Sequence, residues 1–141
     1  MMNLQGILSI SGKPGLYKII GQSRGGVLVN KIGESRKISV PGSARMSALE
    51  DIAIYTYDEE IPLKQVMFNI FNKEEGKATV SHKISQDELQ DFFRSILDEY
   101  DEQRVYPSDI KKIVQWYNIL QANNLLIIAE EEEKEENTEK A

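Results

Sequence analysis

Twofold alternation of apolar and polar positions runs through the first part of the chain, and a 3.6-residue rhythm replaces it near residue 60. Ile7–Ile10 is a short apolar run, closed by the turn chemistry of Ser11-Gly12-Lys13-Pro14-Gly15. Leu16–Ile20 follows and stops at Gly21. Val27–Ile32 comes after Gly25-Gly26, with Leu28 and Ile32 set against Val27 and Val29. Gly33-Glu34-Ser35 reads as a tight turn before Lys37–Val40, which Pro41-Gly42 ends. Ala44–Asp51 is predicted as a short helical turn, and Ile52–Tyr57 as a fifth strand in which Ile52 and Ile54 oppose Tyr55 and Tyr57. Short strands in so little chain leave costly open edges unless the sheet curls and closes. A small barrel of the Src-homology-3-like kind is therefore expected over residues 1–58.

The second rhythm predicts helices. Leu63, Val66, Met67, Ile70 and Phe71 share one helical face, with Pro62 suited to the first helical position, where no N–H is needed. Ser85 and Glu88 have capping-box spacing and open a stripe of Leu89, Phe92, Phe93, Ile96, Leu97 and Tyr100. A third helix starts around Pro107-Ser108-Asp109, carries Ile110, Ile113, Val114, Tyr117 and Leu120, and ends at Asn123-Asn124. Gly76–Ile84 fits either a loop or a short strand. Leu125–Ala129 is too short to classify by period and is expected to pack on the helices. The reading is thus α+β: a small β module at 1–58, a three-helix module at 59–129, and an acidic, disordered tail at 130–141, where 7 of 12 residues are Glu.

Charge follows the same division. Residues 1–58 hold 7 Lys and Arg against 4 Asp and Glu, whereas residues 59–141 hold 10 against 19, within a formal net charge of −6. Among residues 1–49 the only acid is Glu34. The chain has no cysteine, so disulfides and thiolate chemistry are excluded, and a reducing compartment fits. The opening residues lack a basic n-region and a long apolar h-region, and no run approaches the roughly 18 apolar residues of a membrane span. A cytoplasmic location, without membrane attachment, is the expectation.

The chemical motifs do not outweigh their structural explanations. Gly6 to Lys13 superficially suggests a phosphate loop, but five residues separate Gly6 from Gly12, Pro14 follows Lys13, and a strand occupies the place of the loop. Gly21–Gly26 lacks the G-x-G-x-x-G order and leads into a strand rather than a helix. His82 is the only histidine, with no second metal-ligand or triad partner at a suitable spacing. The carboxylate pairs Glu74-Glu75, Asp98-Glu99 and Asp101-Glu102 sit at expected helix ends or polar faces, where solvation explains them. Trp116, beside the third stripe, suits a core or subunit contact better than a ligand platform. No catalytic residue, cofactor or metal site is expected.

What remains is a basic set: Lys13, Lys18, Arg24, Lys31, Arg36, Lys37 and Arg45, with Tyr17 nearby. Lys13, Tyr17, Lys18, Arg24, Arg36, Lys37 and Arg45 form the candidate binding surface. Cations that track phosphates beside stacking aromatics suit nucleic acid, yet Tyr17 is the only aromatic among residues 1–49. The competing occupants are a protein partner, a second copy of the chain, or the chain's own acidic part, including the tail as a cover for the basic module. A non-enzymatic binding or adaptor protein that recognises another protein is the leading expectation, and nucleic-acid association the alternative.

The opening Leu4-Gln5-Gly6-Ile7-Leu8-Ser9-Ile10-Ser11-Gly12-Lys13-Pro14-Gly15-Leu16-Tyr17, with the later Ser43–Glu50, resembles an uncharacterised Bacteroidetes family described by an N-terminal domain of unknown function followed by a helical domain. The resemblance implies a small cytoplasmic bacterial protein and carries no activity or site residue with it.

Overall fold

The computed structural model describes residues 2–126. The predicted acidic tail, and Ile127–Ala129 of the apolar run before it, lie outside the described residues. The chain is α+β. Strands β1 (Ile7–Ile10), β2 (Lys13–Ser23), β3 (Gly26–Lys31), β4 (Lys37–Pro41) and β5 (Met46–Ala48) form one antiparallel sheet in the order β4-β3-β2-β1-β5. A 3-10 turn at Leu49–Asp51 leads to a separate hairpin of β6 (Ala53–Tyr55) and β7 (Glu60–Pro62). Helices α1 (Leu63–Lys73), α2 (Gln86–Ile96) and α3 (Pro107–Ala122) follow.

The sheet does not close into the expected barrel: β4 and β5 are its two edges and do not pair. The segment expected to supply the closing strand, Ile52–Tyr57, finds its burial elsewhere. Ile54 enters the helical core, and the Ile52 carbonyl accepts from the N–H of Leu63 at the start of α1 (2.8 Å). Its place at the sheet edge is taken by Met46–Ala48, inside the stretch predicted as a helical turn. There the apolar residues Met46 and Ala48 alternate with exposed Ser47, which suits a strand on a half-buried surface. Only Leu49–Asp51 is helical.

Two irregularities bend the sheet. The register shifts between Leu8 and Ile10 in β1 and between Ile19 and Gly21 in β2, where Ile20 has no opposite residue. Such bulges increase the local twist and re-aim side chains. At the start of β3 and the end of β4 the backbones approach so closely that a Cβ on Gly26 would lie 1.9 Å from the Val40 carbonyl oxygen. Only glycine fits there.

Both faces of the central strands are buried. On one side Leu8, Ile10, Tyr17, Val29 and Val40 form a small core with Val27, Ile38 and Met46 around it. On the other side Ile7, Leu16 and Leu49 join Leu63, Met67, Ile70, Phe93, Ile110, Tyr117 and Leu120 in one large core. The sheet and the helices are therefore packed through a shared apolar interior.

The three helices lie where the stripes place them. Ser85 accepts from the Glu88 N–H (3.2 Å) and Glu88 Oε1 accepts from the Ser85 N–H (3.3 Å), completing the capping box. Pro62 lies just before α1 rather than in its first turn. The α2 stripe outlasts its helix: the helix ends at Ile96, while Tyr100 is buried beyond it with its ring 4.9 Å from Phe93 in an edge-to-face contact. Asn124 takes a left-handed φ of 57° after α3, as its type permits. Residues 77–84 form a loop held to α3: the Tyr117 hydroxyl donates to the Lys77 carbonyl (2.7 Å), and the Asn118 amide receives from the Thr79 N–H and donates to the Val80 carbonyl.

Candidate functional site

A pocket of about 310 Å³ opens where β6 and the first turns of α3 meet the β1–β5 edge of the sheet. Its floor is apolar, with Ile52, Ile54, Val105 and Ile113, and half-buried Trp116 forms one wall. Ser9 and Ser47, directly opposite each other on β1 and β5, bring two hydroxyls to the sheet side. Tyr55, Arg104, Asp109 and Lys112 form the rim.

Local structure fixes this rim. Tyr55 alternates along β6 with buried Ile54 and Thr56, and so faces outward. The Tyr55 carbonyl accepts from the Asp101 N–H at 2.9 Å, tying the hairpin to the chain after α2. The Arg104 guanidinium carbon lies 4.2 Å above the Tyr55 ring, and its Nε donates to Asp101 Oδ2 at 2.9 Å. Arg104 is therefore held by stacking on one side and a charge-assisted bond on the other. The Arg104 bond, followed by the bond from the Gln103 N–H, holds the Asp101 carboxyl below its usual range despite some desolvation. Asp109 accepts from the Tyr106 N–H at 2.9 Å and so caps α3. Tyr57 and Tyr106, close in sequence to the lining residues Tyr55 and Val105, are 61% and 58% exposed.

Among the described residues, the pocket lining contains no histidine or cysteine; its ionisable side chains are Arg104, Asp109 and Lys112, with Tyr55. His82 lies in the loop before α2. No group of His, Asp or Glu among the described residues could hold a metal ion.

The residues singled out from sequence do not converge here, and they do not share one face. Lys13 and Arg36 meet half-buried Lys31 in a cleft at one end of the sheet, where Lys31 pairs with Glu34 at 3.3 Å. Tyr17 lines that cleft, but it is only 3% exposed and packs in the small core. Its hydroxyl donates to the Pro14 carbonyl at 3.2 Å, and a ring so covered offers no face to a base. Lys18 and Lys37 lie instead on a second groove beside the end of α3, with Asn30 between them in the register. Arg24 stands in the β2–β3 turn, and Arg45 is exposed ahead of β5. Sequence reasoning missed the Tyr55–Arg104 pair because it joins a strand to a loop 49 positions away. Trp116 was the one visible signal, a large ring set off the buried stripe.

Comparison with known proteins places this arrangement. Residues 4–49 match the family described as Domain of unknown function (DUF5606), and residues 52–120 match Domain of unknown function (DUF6852). A Bacteroides vulgatus protein solved in solution by NMR is 40% identical, with a TM-score of 0.73, over 86% of this chain and 88% of that one. This chain belongs to that protein's family. Its two matched segments separate the five-stranded sheet from the part containing β6, β7 and the helices, and the pocket takes residues from both. No curated protein matches the chain. Among the described residues, no helix is long and apolar enough to cross a membrane.

Proposed function

We propose that this family member is a non-enzymatic protein-recognition module, and that the pocket between β6, α3 and the β1–β5 edge receives a side chain of its partner. The observation that carries the reading is the set of Tyr55, Arg104 and Trp116 around an apolar floor, with exposed Tyr57 and Tyr106 close in sequence to lining residues. Tyr, Trp and Arg are the side chains that dominate binding energy at protein interfaces, acting from desolvated pockets ringed by weaker contacts. Arg104 is already immobilised on Tyr55, so less rotamer freedom is lost when a partner docks. A second copy of the chain is among the partners that such a surface accepts.

The scattered cations weigh against the nucleic-acid alternative. A phosphate backbone needs a continuous positive track with open aromatic faces, and here the cations divide between a cleft and a groove while Tyr17 is covered. The absence of cysteine accords with recognition in a reducing cytoplasm.

Co-purification from native cells separates the two readings. Arg104→Ala and Tyr57→Ser are expected to lose the bound protein, while Lys13→Glu with Arg36→Glu retains it. The opposite pattern, or recovery of nucleic acid whose binding falls with salt at a slope of about −0.7 per phosphate, refutes the proposal. Sedimentation of the purified chain tests whether the partner is a second copy.

A further inference from the structure

The helices cover only part of the sheet face turned toward them. Ile7 and Leu16 enter the large core, but farther across the same face Lys18, Asn30 and Lys37 stand side by side on β2, β3 and β4. They form one wall of a groove of about 350 Å³, with Ile20, Ile32 and Leu125 as its apolar surfaces and Asn123 at the end of α3. The bulge in β2 falls at Ile20, which is 44% exposed. Ion pairs among the described residues involve Lys31, Arg94 and Arg104, and neither Lys18 nor Lys37 has a carboxylate partner there.

Leu125 is both a lining residue of this groove and almost the last described residue. The sequence that continues from it is Leu126-Ile127-Ile128-Ala129, then Glu130-Glu131-Glu132-Glu133. Apolar residues first and carboxylates next is the order that the groove asks for, with Ile20 and Ile32 close to Leu125 and two lysines spread across the strands. We infer that residues 127–133 dock in cis on this sheet face, with Ile127 and Ile128 against Ile20 and Ile32 and the glutamates against Lys18 and Lys37. Reach is no obstacle. Five residues from Leu125 to Glu130 span up to about 16 Å, whereas β2 and β4 are two strand spacings apart, about 10 Å. Tethering next to the groove also gives the segment an effective concentration on the order of millimolar, so modest contacts suffice. The groove lies at the opposite end of α3 from the Trp116 pocket, and the inference does not depend on the proposed function.

The lack of cysteine allows a direct test in the full chain. Asn137→Cys provides a single attachment point for a nitroxide label on ¹⁵N-labelled protein. At low ionic strength the amide signals of Lys18, Asn30 and Lys37 are expected to lose several-fold more intensity than those of Tyr55 and Arg104, which line the pocket at the opposite end of α3. The loss should be reversed at about 0.5 M salt, where exposed charges more than a few ångströms apart are screened. It should also be reversed by Lys18→Glu with Lys37→Glu, and by Gln at positions 130–133, which leaves the described fold untouched. Broadening that is uniform over the chain, or insensitive to both sets of substitutions, overturns the inference. So does broadening seen only when labelled copies are mixed with ¹⁵N copies lacking the nitroxide, since the occupant is then a second molecule.

Discussion

The two apolar cores divide the sheet between them, and they differ in what fills them. The large core takes aromatic rings from the helices and the connections between them, with Phe93, Tyr100 and Tyr117 at most 1% exposed. The small core contains no helix residue and is made from Leu8, Ile10, Tyr17, Val29 and Val40 of the sheet. Consecutive residues serve opposite cores: Ile7 and Leu16 face the helices, while Leu8 and Tyr17 enter the small core. A strand buried on both faces reads as an unbroken apolar pair rather than a clean alternation. The lesson is that helix packing stabilises one face of this sheet, while the other is covered by the sheet's own strands and the segment leading into β5, through Val27, Ile38, Ala44 and Met46.

Truncation in each core shows whether the two are one cooperative unit. Phe93→Ala removes a fully buried ring and its edge-to-face contact with Tyr100, and is expected to cost about 3–5 kcal/mol in denaturant unfolding. Val29→Ala removes two methyl groups' worth of burial from the small core, and about 2 kcal/mol is expected. If the cores unfold together, both variants shift a single transition without changing its slope. A Val29→Ala chain that loses strand signal in a separate, earlier transition would break the comparison, because the five-stranded sheet would then be an independent unit.

The helices and most strands were legible because their periods are local. Ile7–Ile10 matches its predicted bounds, and the Ser85–Glu88 box is formed as its spacing required. The strand expected at Ile52–Tyr57 forms over Ala53–Tyr55. The helical turn expected at Ala44–Asp51 is partly a strand for a definite cause: Met46-Ser47-Ala48 is too short to display a period, and its strand state comes from pairing with β1, far away in sequence. Barrel closure was inferred from the number of strands, but whether Ile54 packs into the sheet or against the helices is a tertiary choice. The basic set shows the same limit. Lys18 and Lys37 are brought together by strand pairing, whereas Tyr17 is taken away from the surface by its neighbour's opposite orientation. The pocket was the least legible element, since its rim joins residues 55, 104 and 112 from three separate elements or loops.

Smaller effects sharpen the account of how the helices are fixed. Ser85→Ala removes the side-chain half of the α2 capping box and is expected to cost about 1 kcal/mol, with restoration by Thr or Asp. A loss near zero would mean that packing of Phe92 and Phe93 alone sets the start of α2.

Tyr117 gives the most discriminating test, because it acts through pH as well as packing. Its ring is fully buried in the large core, and burial, followed by the nearby Glu74 carboxylate, pushes its hydroxyl up to about 12. An unfolded tyrosine ionises near 10, so above that pH the unfolded chain releases a proton that the folded chain keeps. Stability linked to Tyr117 is therefore complete below about pH 10 and is lost as pH rises toward 12. At neutral pH, Tyr117→Phe should cost only about 1 kcal/mol, the worth of the hydrogen bond to the Lys77 carbonyl. Between pH 10 and 12 the same variant should lose stability less steeply than the parent, so the two unfolding curves converge. Tyr100 is raised in the same direction, chiefly by burial, and lacks a hydrogen-bond partner among the described residues. Tyr100→Phe should therefore flatten the alkaline limb with little loss at neutral pH, and a large neutral-pH loss from it would place a partner on that hydroxyl.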